Sequence, residues 1–435
     1  MRRSCEQSPS ARLENLEPRL LLEGTWQVPY EGAGAIPVDY SRDVTADLAA
    51  FFASVPDGST VVFPSLSYSR FDGSGGVGYR IDGAIELTDR HDLTVEGGGA
   101  MFVAFDDVDP AVDPQLAYDR DQWVIRSSSG LTLRNVVTYG ANDGWSMGDD
   151  GYDAAREGQH AYQIDGGSSD VLLEGVEAYE TFGDGVYIGG DSVGVTVRTS
   201  TIQRVGRQGI APCYGSDILI ESNFIDDCRR GVIDIEPYAE SWSVNNLRIL
   251  GNTLGDSRLL LMPMGGAGSY GAIYVADNVA LGSNGVPEIM FSRSDPSTLR
   301  GPFVCVNNRF TVGGSSTAGF RFSSVDGLLF AGNEATFLAP DRQMPAMQIT
   351  ESSGVVLGGN LFAGASDDST DGGLVVDGAT SPLVDWDNPL ADSGWASQMT
   401  VTEDAQHPGS YVGRAPYSDE AVSGGQLIAI WRAGG

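Results

Sequence analysis

Residues 183–240 read GDGVYIGGDSVGVTVRTSTIQRVGRQGIAPCYGSDILIESNFIDDCRRGVIDIEPYAE. In this stretch a polar corner that contains glycine leads into a short apolar strand three times, at Asp184-Gly185, Gln208-Gly209 and Arg230-Gly231. The corners recur at nearly equal intervals, of a length typical of repeat folds. A chain that returns to the same kind of corner in this way stacks its turns, and its polar side chains then form columns.

The repeat extends along most of the chain. Apolar-x-apolar strands begin at Leu93, Leu131, Val171, Val195, Ile218, Leu247, Ile273, Phe303, Leu328 and Val355. Successive starts mostly follow one another at similar intervals, but Leu131 and Val171 follow longer gaps. A regular period with alternating inward side chains predicts one coil of a three-sided solenoid per repeat, and a helical spacing is absent. The predicted fold class is therefore all-β, a parallel β-helix formed by a single chain with about ten coils.

An asparagine follows each of the later strand starts at one fixed offset. The six positions are Asn223, Asn252, Asn278, Asn308, Asn333 and Asn360. Six amides in register at one turn predict a ladder in which each side chain bonds to the next coil along the axis.

Charge limits the possible partners. The chain has 59 acidic and 26 basic residues, a net charge of -33, and every basic residue is arginine. Such acidity disfavours nucleic acid and anionic membranes. Residues 198–230 hold five arginines against four acids, so an anionic sugar is expected to approach here if anywhere. No apolar run is long enough to cross a bilayer, and hence no membrane span is predicted.

The N-terminal part predicts a short capping helix. Thr45 is expected to cap a helix in which Leu48, Phe51 and Phe52 share one face, and the strand Thr60–Pro64 follows. This order resembles the N-terminal cap and first coils of the pectate-lyase superfamily of right-handed parallel β-helices. The resemblance implies that the helix closes the apolar end of a right-handed solenoid.

Four segments follow from these patterns. We predict an export or disordered segment at residues 1–35, the N-terminal cap at 36–64, the β-helix at 65–380 and a C-terminal cap or tail at 381–435. The last segment contains Trp386, Trp395 and the apolar run Leu427–Trp431. Cys213 and Cys228 could meet as a disulfide across neighbouring turns or remain two buried thiols.

The run Leu16-Glu-Pro-Arg-Leu-Leu-Leu22 lies near the N-terminus. It resembles the LEPR-XLL element of large extracellular proteins from environmental bacteria. The resemblance implies export, and a secreted or cell-surface location is expected. A disordered charged tail is the alternative.

Two insertions, residues 105–122 and 142–159, account for the long gaps. Insertions leave a solenoid on one face, often the binding face. Both are rich in aspartate, including Asp113, Asp119, Asp121 and Asp153. Neither has the spacing of a calcium loop, so no cofactor is predicted, and calcium is the alternative left open.

The second strand of successive coils predicts a site. Ile164, Ile188, Pro212 and Ile235 are expected to point inward, and their neighbours outward. The corner before these strands is expected to stack His160, Asp184, Gln208 and Arg230. We therefore predict a groove with Asp184, Asp234 and Glu236 as catalytic carboxylates, no metal, and a polysaccharide as partner. The predicted substrate-binding residues are His160, Tyr187, Arg207, Gln208, Arg230 and Tyr238.

Three functions fit these residues. Paired carboxylates at roughly 6.5 to 9.5 Å can hydrolyse a glycosidic bond. The corners at Asp184 and Gln208 resemble two motifs of polygalacturonase-type hydrolases, although Gly185 and Gln208 replace residues of that family's catalytic set. A lyase acting on a uronate polymer would need a base from arginine, tyrosine or His160, because the chain has no lysine. The third function is glycan binding or surface structure without catalysis.

Overall fold

The computed structural model describes residues 24–71, 75–105, 111–142, 151–255, 262–281, 289–291, 300–313, 319–338, 347–350, 352–363, 374–377, 381–386, 400–403 and 411–414. The described strands stack in parallel and form a three-sided solenoid, which confirms the predicted all-β parallel β-helix. The LEPR-XLL element, Cys5, Trp395 and Leu427–Trp431 lie outside the described residues.

Side 1 of the solenoid contains the predicted strand starts. Its strands are Thr25–Gln27, Thr60–Val62, Thr94–Val103, Thr132–Tyr139, Leu172–Glu174, Ser192–Val193, Thr196–Arg198, Gly215–Glu221, Ser243–Leu250, Ser269–Tyr270, Ile273–Ala276, Phe303–Val306, Leu328–Ala331, Ser353–Gly358 and Ser381–Trp386.

Side 2 continues the same large sheet, because Thr94–Val103 and Thr132–Tyr139 run across the corner between the two sides. Its own strands are Asp39–Asp43, Gly78–Arg80, Glu177–Tyr179, Thr201–Val205, Phe224–Cys228, Thr253–Leu254, Val279–Ala280, Arg309–Val312, Glu334–Phe337 and Leu361–Ala363.

Side 3 consists of two five-stranded parallel sheets. The strands of the first are Ile85–Thr88, Trp123–Arg126, Tyr162–Asp165, Val186–Ile188 and Ile210–Pro212, and those of the second are Met262–Met264, Ile289–Phe291, Phe320–Ser323, Met347–Thr350 and Leu374–Asp377. Residues 233–236 lie between them, since Ile233 bridges Ile210 and the amide of Gly265 donates to the carbonyl of Ile235. Thr400–Glu403 and Tyr411–Arg414 form an antiparallel hairpin.

Alternating side chains fill the interior. On side 1 the register stacks Leu133, Leu173, Val197, Ile220 and Ile249 in one column. All five are fully buried. Leu131, Val171 and Val195, two residues earlier on the same coils, are buried as well, as expected for side chains that alternate across a strand.

The predicted asparagine ladder is confirmed. Each of the six amides is buried, and the side-chain oxygens of the later members accept hydrogen bonds from the preceding coil. Oδ1 of Asn252, for example, accepts from the backbone N–H of Asn223 at 2.9 Å and from its Nδ2 at 3.0 Å. The ladder therefore satisfies backbone groups at a corner where no strand pairing does so.

A column of alternating charge lies outside on side 1. Glu96, Arg134, Glu174, Arg198 and Glu221 occupy successive coils in register. Arg134 contacts Glu96 at 2.8 Å and Glu174 at 2.6 Å, and Arg198 contacts Glu174 at 2.6 Å. These ion pairs link neighbouring coils, because opposite charges are adjacent along the column.

The capping helix spans Thr45–Ser54, with Leu48 and Phe52 buried. Thr45 is the first helical residue rather than the cap, which corrects the expected start. Asp43 precedes it, and its Oδ1 accepts from the Thr45 backbone N–H at 2.9 Å. At the other end, Arg90 donates to the carbonyls of Phe52 and Val55. A second, short helix spans Pro114–Tyr118.

Stacked strands reach beyond the predicted segment boundaries. Thr25–Gln27 pairs with Thr60–Val62, and Ser381–Trp386 pairs with Ser353–Gly358. Cys213 and Cys228 are free and buried thiols. In the described part of the chain, no helix is long and apolar enough to cross a membrane.

Candidate functional site

A groove of about 690 Å³ lies on side 3. Its floor is formed by side chains of successive coils, His160, Gln163, Asp165, Tyr187, Arg207, Cys213 and Glu236. One wall comes from the two insertions and contains Tyr118, Asp119, Asp121 and Glu157. Tyr238 and Trp242 form the opposite wall. The groove therefore crosses several coils on the face that carries the insertions.

Strand register explains how the floor forms. Ile188 pairs with Ile164 and with Pro212, and all point inward as predicted. Their neighbours Gln163 and Tyr187 pair with each other and point outward into the groove. On the next coil Ile210 pairs with Ile233, so Glu236 aligns with Cys213 and both line the groove.

The expected corner column needs one correction. His160, Asp184 and Gln208 stack in register, as predicted. Ile210 pairs with Ile233, however, and this register aligns Gly231 rather than Arg230 with Gln208. Arg230 instead stacks on Arg207, and its guanidinium lies 4.3 Å from the centre of the Tyr152 ring.

The pair of Asp184 and Arg207 is central to the site. Asp184 is fully buried, and its Oδ2 lies 2.9 Å from Nη1 of Arg207. The backbone N–H of Gln208 donates to Oδ1 of Asp184 at 2.9 Å. The charge of Asp184 raises the pKa of Arg207 above its ordinary value. Arg207 therefore remains positively charged, and its ion pair with the buried Asp184 fixes its position.

Two further carboxylates share the same guanidinium. Nε of Arg207 lies 3.6 Å from Oε2 of Glu157, and its Nη2 lies 3.5 Å from Oε2 of Glu236. Both glutamates line the groove. Both glutamates therefore contact one edge of the same guanidinium, which brings the two carboxylates together at the groove. Tyr152 donates its hydroxyl to Glu157 at 2.7 Å.

Burial perturbs three acids at the groove. It raises the pKa of Glu236 above its ordinary value, against the opposing effect of Arg207. Burial, followed by the charge of Glu236, raises the pKa of Asp234 well above the ordinary range. Burial also raises the pKa of Asp121, although its carboxylate accepts the backbone N–H of His160 at 2.9 Å. These three groups retain a proton at a pH where an exposed carboxyl has lost it.

His160 is held in one tautomer. Its Nδ1 accepts the backbone N–H of Asp184 at 2.9 Å, so the ring proton is on Nε2. Burial lowers the pKa of His160, and the ring is therefore neutral. Its Nδ1 also lies 3.4 Å from Oδ2 of Asp184, but a neutral imidazole forms no ion pair there. The ring stacks on Tyr187, with 5.0 Å between the ring centres.

All the predicted site residues except Arg230 fall into two groups. His160, Tyr187, Arg207, Glu236 and Tyr238 line the groove. Asp184, Asp234 and Gln208 are buried beneath it, where Nε2 of Gln208 donates to Asp234. Arg230 belongs to neither group, since it lies over Tyr152.

Most of the residues that form the groove walls were not predicted from the sequence. Asp119, Asp121 and Glu157 lie in the two insertions, whose position on one face was the only available signal. Trp242 follows the last predicted strand of the site, and it stacks on Tyr214 with ring centres 5.5 Å apart. Cys213 lies on the floor, in the same outward column as Glu236.

The groove is acidic rather than neutral. Asp119, Asp121, Glu157, Asp165 and Glu236 line it, with Arg207 as the lining arginine. Arg198 pairs with Glu174, and Arg204 pairs with Glu180, both away from the groove. Arg198 and Arg204 therefore do not contribute positive charge to the groove. Among the described residues, no cluster of three or more potential metal ligands has a geometry that could hold an ion.

Sequence comparison finds no matching family model and no matching curated protein. Among solved structures, the fold is similar to PfbA, a surface adhesin of Streptococcus pneumoniae, with a TM-score of 0.57 and 11% identity over 90% of this chain and 100% of that chain. It is also similar to the Agl-KA catalytic domain, with a TM-score of 0.57 and 12% identity over 88% and 66% of the two chains. The fold is similar as well to a family 28 exopolygalacturonase of Yersinia enterocolitica, with a TM-score of 0.52 and 9% identity over 83% of this chain and 78% of that chain. The protein is thus a parallel β-helix protein with an acidic, aromatic-walled groove.

Proposed function

We propose that this protein hydrolyses a glycosidic bond of a polysaccharide that lacks carboxylates, with Glu157 and Glu236 as the two acting groups. The observation that carries the proposal is the sharing of Arg207 by two groove-lining carboxylates. Hydrolysis with inversion needs one carboxyl that protonates the leaving oxygen and a second that activates water.

Glu236 is assigned as the general acid. Its raised pKa keeps the proton that the leaving oxygen must receive. Glu157 is assigned as the base that activates water, since it reaches the groove from the wall formed by the insertions and its carboxylate lies beside Arg207. Asp184 has no exposed surface, and we assign it a positioning role, through Arg207. The charges of Asp184 and Glu157 add to the effect of burial and favour the protonated form of Glu236.

The walls support a sugar ligand. Tyr118, Tyr187, Tyr238 and Trp242 present aromatic rings to the groove, and such rings offer an apolar face with a polar edge. Arg207, the arginine that lines the groove, is already paired with Asp184, so it is a poor partner for the carboxylates of a uronate polymer. This argues against the lyase function, which requires an anionic substrate.

Glycan binding without cleavage is the second candidate function. Its support is Tyr238, which is 73% exposed and can hold a sugar without any catalytic group. The neighbours include both an adhesin and an exopolygalacturonase, so the fold favours neither function. Both functions place the protein outside the cell, in agreement with the LEPR-XLL resemblance.

A glycan panel tests the proposal. The full chain is incubated with neutral glucans, galactomannan, a glucosamine polymer and polygalacturonate, and reducing ends, unsaturated products and binding are measured. We expect reducing ends from a polymer without carboxylates, and their loss in Glu236→Gln and Glu157→Gln. Glu334→Gln, at an exposed residue on side 2 away from the groove, is the matched control. Unsaturated products from polygalacturonate would overturn the proposal, and binding without new reducing ends would favour the second function.

A further inference from the structure

We propose that Tyr270 and Arg300, two residues outside the groove, position the groove wall formed by Tyr238 and Trp242 together with the segment that carries Glu236. This inference rests on the proposed function for its effect on substrate. Its structural part, the placement of the wall, is tested independently of activity.

The wall needs support from behind. Residues 237–242 form no strand, and they connect Ile235 on side 3 to Ser243–Leu250 on side 1. Tyr238 projects from this segment and is 73% exposed. Its position is therefore determined by what contacts the backbone of residues 237–242.

A turn at residues 265–269 provides that contact. The amides of Ala267, Gly268 and Ser269 donate to the carbonyls of Tyr238, Pro237 and Trp242 at 3.3, 2.8 and 3.0 Å. The two backbones approach so closely that a Cβ on Gly266 would lie 2.3 Å from the carbonyl oxygen of Pro237. The wall therefore follows any movement of the turn.

Arg300 and Tyr270 hold the turn. Arg300 is 2% exposed, and its guanidinium donates to the carbonyls of Gly266 at 2.6 Å and Gly265 at 3.3 Å. The same guanidinium lies 4.4 Å from the centre of the Tyr270 ring. Both terminal nitrogens of the guanidinium donate to these carbonyls, so its planar geometry fixes the two carbonyls relative to each other.

Tyr270 links this turn to the segment that carries Glu236. Its hydroxyl donates to the carbonyl of Ile235 at 2.8 Å and also contacts the carbonyl of Gly265. Ile235 lies between Asp234 and Glu236 in the chain. One phenol therefore joins the turn that supports the wall to the segment that carries Glu236.

Both residues act at a distance from the reacting atoms. The side chain of Glu236 is held separately by Arg207, in a contact that involves neither Tyr270 nor Arg300. Proton transfer should therefore persist even when the backbone beside Glu236 loses its hydrogen bond. The wall should instead lose its fixed position, and the sugar bound against it should be held less tightly. We therefore expect a higher KM and an almost unchanged kcat.

The experiment compares Tyr270→Phe and Arg300→Lys in the full chain. Tyr270→Phe removes one hydroxyl and keeps the ring, whereas Arg300→Lys keeps the charge and removes the planar fork. The matched controls are Tyr274→Phe and Arg309→Lys, since Tyr274 is 40% exposed and the Arg309 side chain is 67% exposed. Hydrogen exchange of a peptide covering residues 237–242 is measured first, without substrate.

We expect faster exchange in residues 237–242 for both variants, unchanged exchange in the asparagine ladder, and no change in the controls. On the polysaccharide that the wild type cleaves, KM should rise about fivefold to tenfold, as for the loss of one hydrogen bond, while kcat stays within about twofold. Unchanged exchange at 237–242, or a uniform increase along the whole chain, would overturn the inference. A fall in kcat at constant KM would also overturn it. If the wild type cleaves no glycan, the proposed function fails, and the exchange result alone decides the positioning role.

Discussion

Nη1 of Arg207 lies 2.9 Å from Oδ2 and 3.2 Å from Oδ1 of Asp184, a carboxylate with no exposed surface. Asp184 comes from the corner of one coil and Arg207 from the corner of the next. The same guanidinium reaches Glu157 and Glu236 in the groove. One buried ion pair therefore determines where two groove carboxylates meet a positive charge.

Asp184→Asn should lower both stability and activity. The change leaves Arg207 without its buried counter-ion, and breaking a buried pair costs about 3–5 kcal/mol. Denaturant unfolding measures the loss, and kinetics on the cleaved glycan measure the activity. Glu334→Gln is the control, because its ion pair with Arg309 is exposed on both sides and should contribute little. A variant with wild-type stability would show that Arg207 does not depend on Asp184.

Glu236→Gln should remove one limb of the pH profile. Burial raises the pKa of Glu236, so the acid should remain protonated, and the enzyme active, above the pH at which an ordinary glutamate ionises. The basic limb of kcat should therefore lie above the ordinary glutamate pKa in the wild type. In Glu236→Gln, activity should fall about 10²–10⁴-fold, and the residual activity should lose that limb. A basic limb that persists in the variant would assign it to another group.

The coils could be predicted from the sequence because strand stacking depends on local alternation. Leu133 and Val197 are inward simply because they alternate with polar neighbours. The asparagine ladder was equally readable, since each coil contributes one amide at one offset. These features repeat, and repetition is a strong signal within a single sequence.

The corner at Arg230 shows why the site was harder to predict. Similarity between corners places Arg230 on Gln208, but the strands that follow them pair Ile210 with Ile233, which aligns Gly231 with Gln208 instead. Strand register determines which residues stack, so an alignment based on similar corners misplaced Arg230 by one position. The wall residues Asp121 and Glu157 lie in insertions without a period, and nothing local to them predicts that they meet the groove.

Asp234→Asn should stabilise the protein at neutral pH. The folded-state pKa of Asp234 is raised, so its contribution to stability is present below the unfolded pKa and is lost as pH rises through the folded value. An amide does not titrate, and its Nδ2 can donate to Oε1 of Gln208, a buried acceptor that has no hydrogen-bond partner in the described structure.

The gain should be on the order of 1–3 kcal/mol at neutral pH and should vanish in acid. Unfolding at a series of pH values measures it, with the exposed Asp191→Asn as control. Equal gains at low and neutral pH would contradict the assignment of the proton to Asp234.

Asn278→Ala should weaken the solenoid at the centre of the ladder. Oδ1 of Asn278 accepts the backbone N–H and the Nδ2 of Asn252, both at 2.9 Å, and its Nδ2 donates to the carbonyl of Ile249 at 2.9 Å. Alanine leaves these buried groups unpaired, and each such group costs about 1–3 kcal/mol. Asn278→Asp should not restore stability, because it keeps the acceptor but loses the donors and buries a charge. Asn245→Ala, an exposed position on the neighbouring coil, should unfold like the wild type. If Asn278→Ala also does so, the ladder is not a source of stability, and the strands alone hold the coils together.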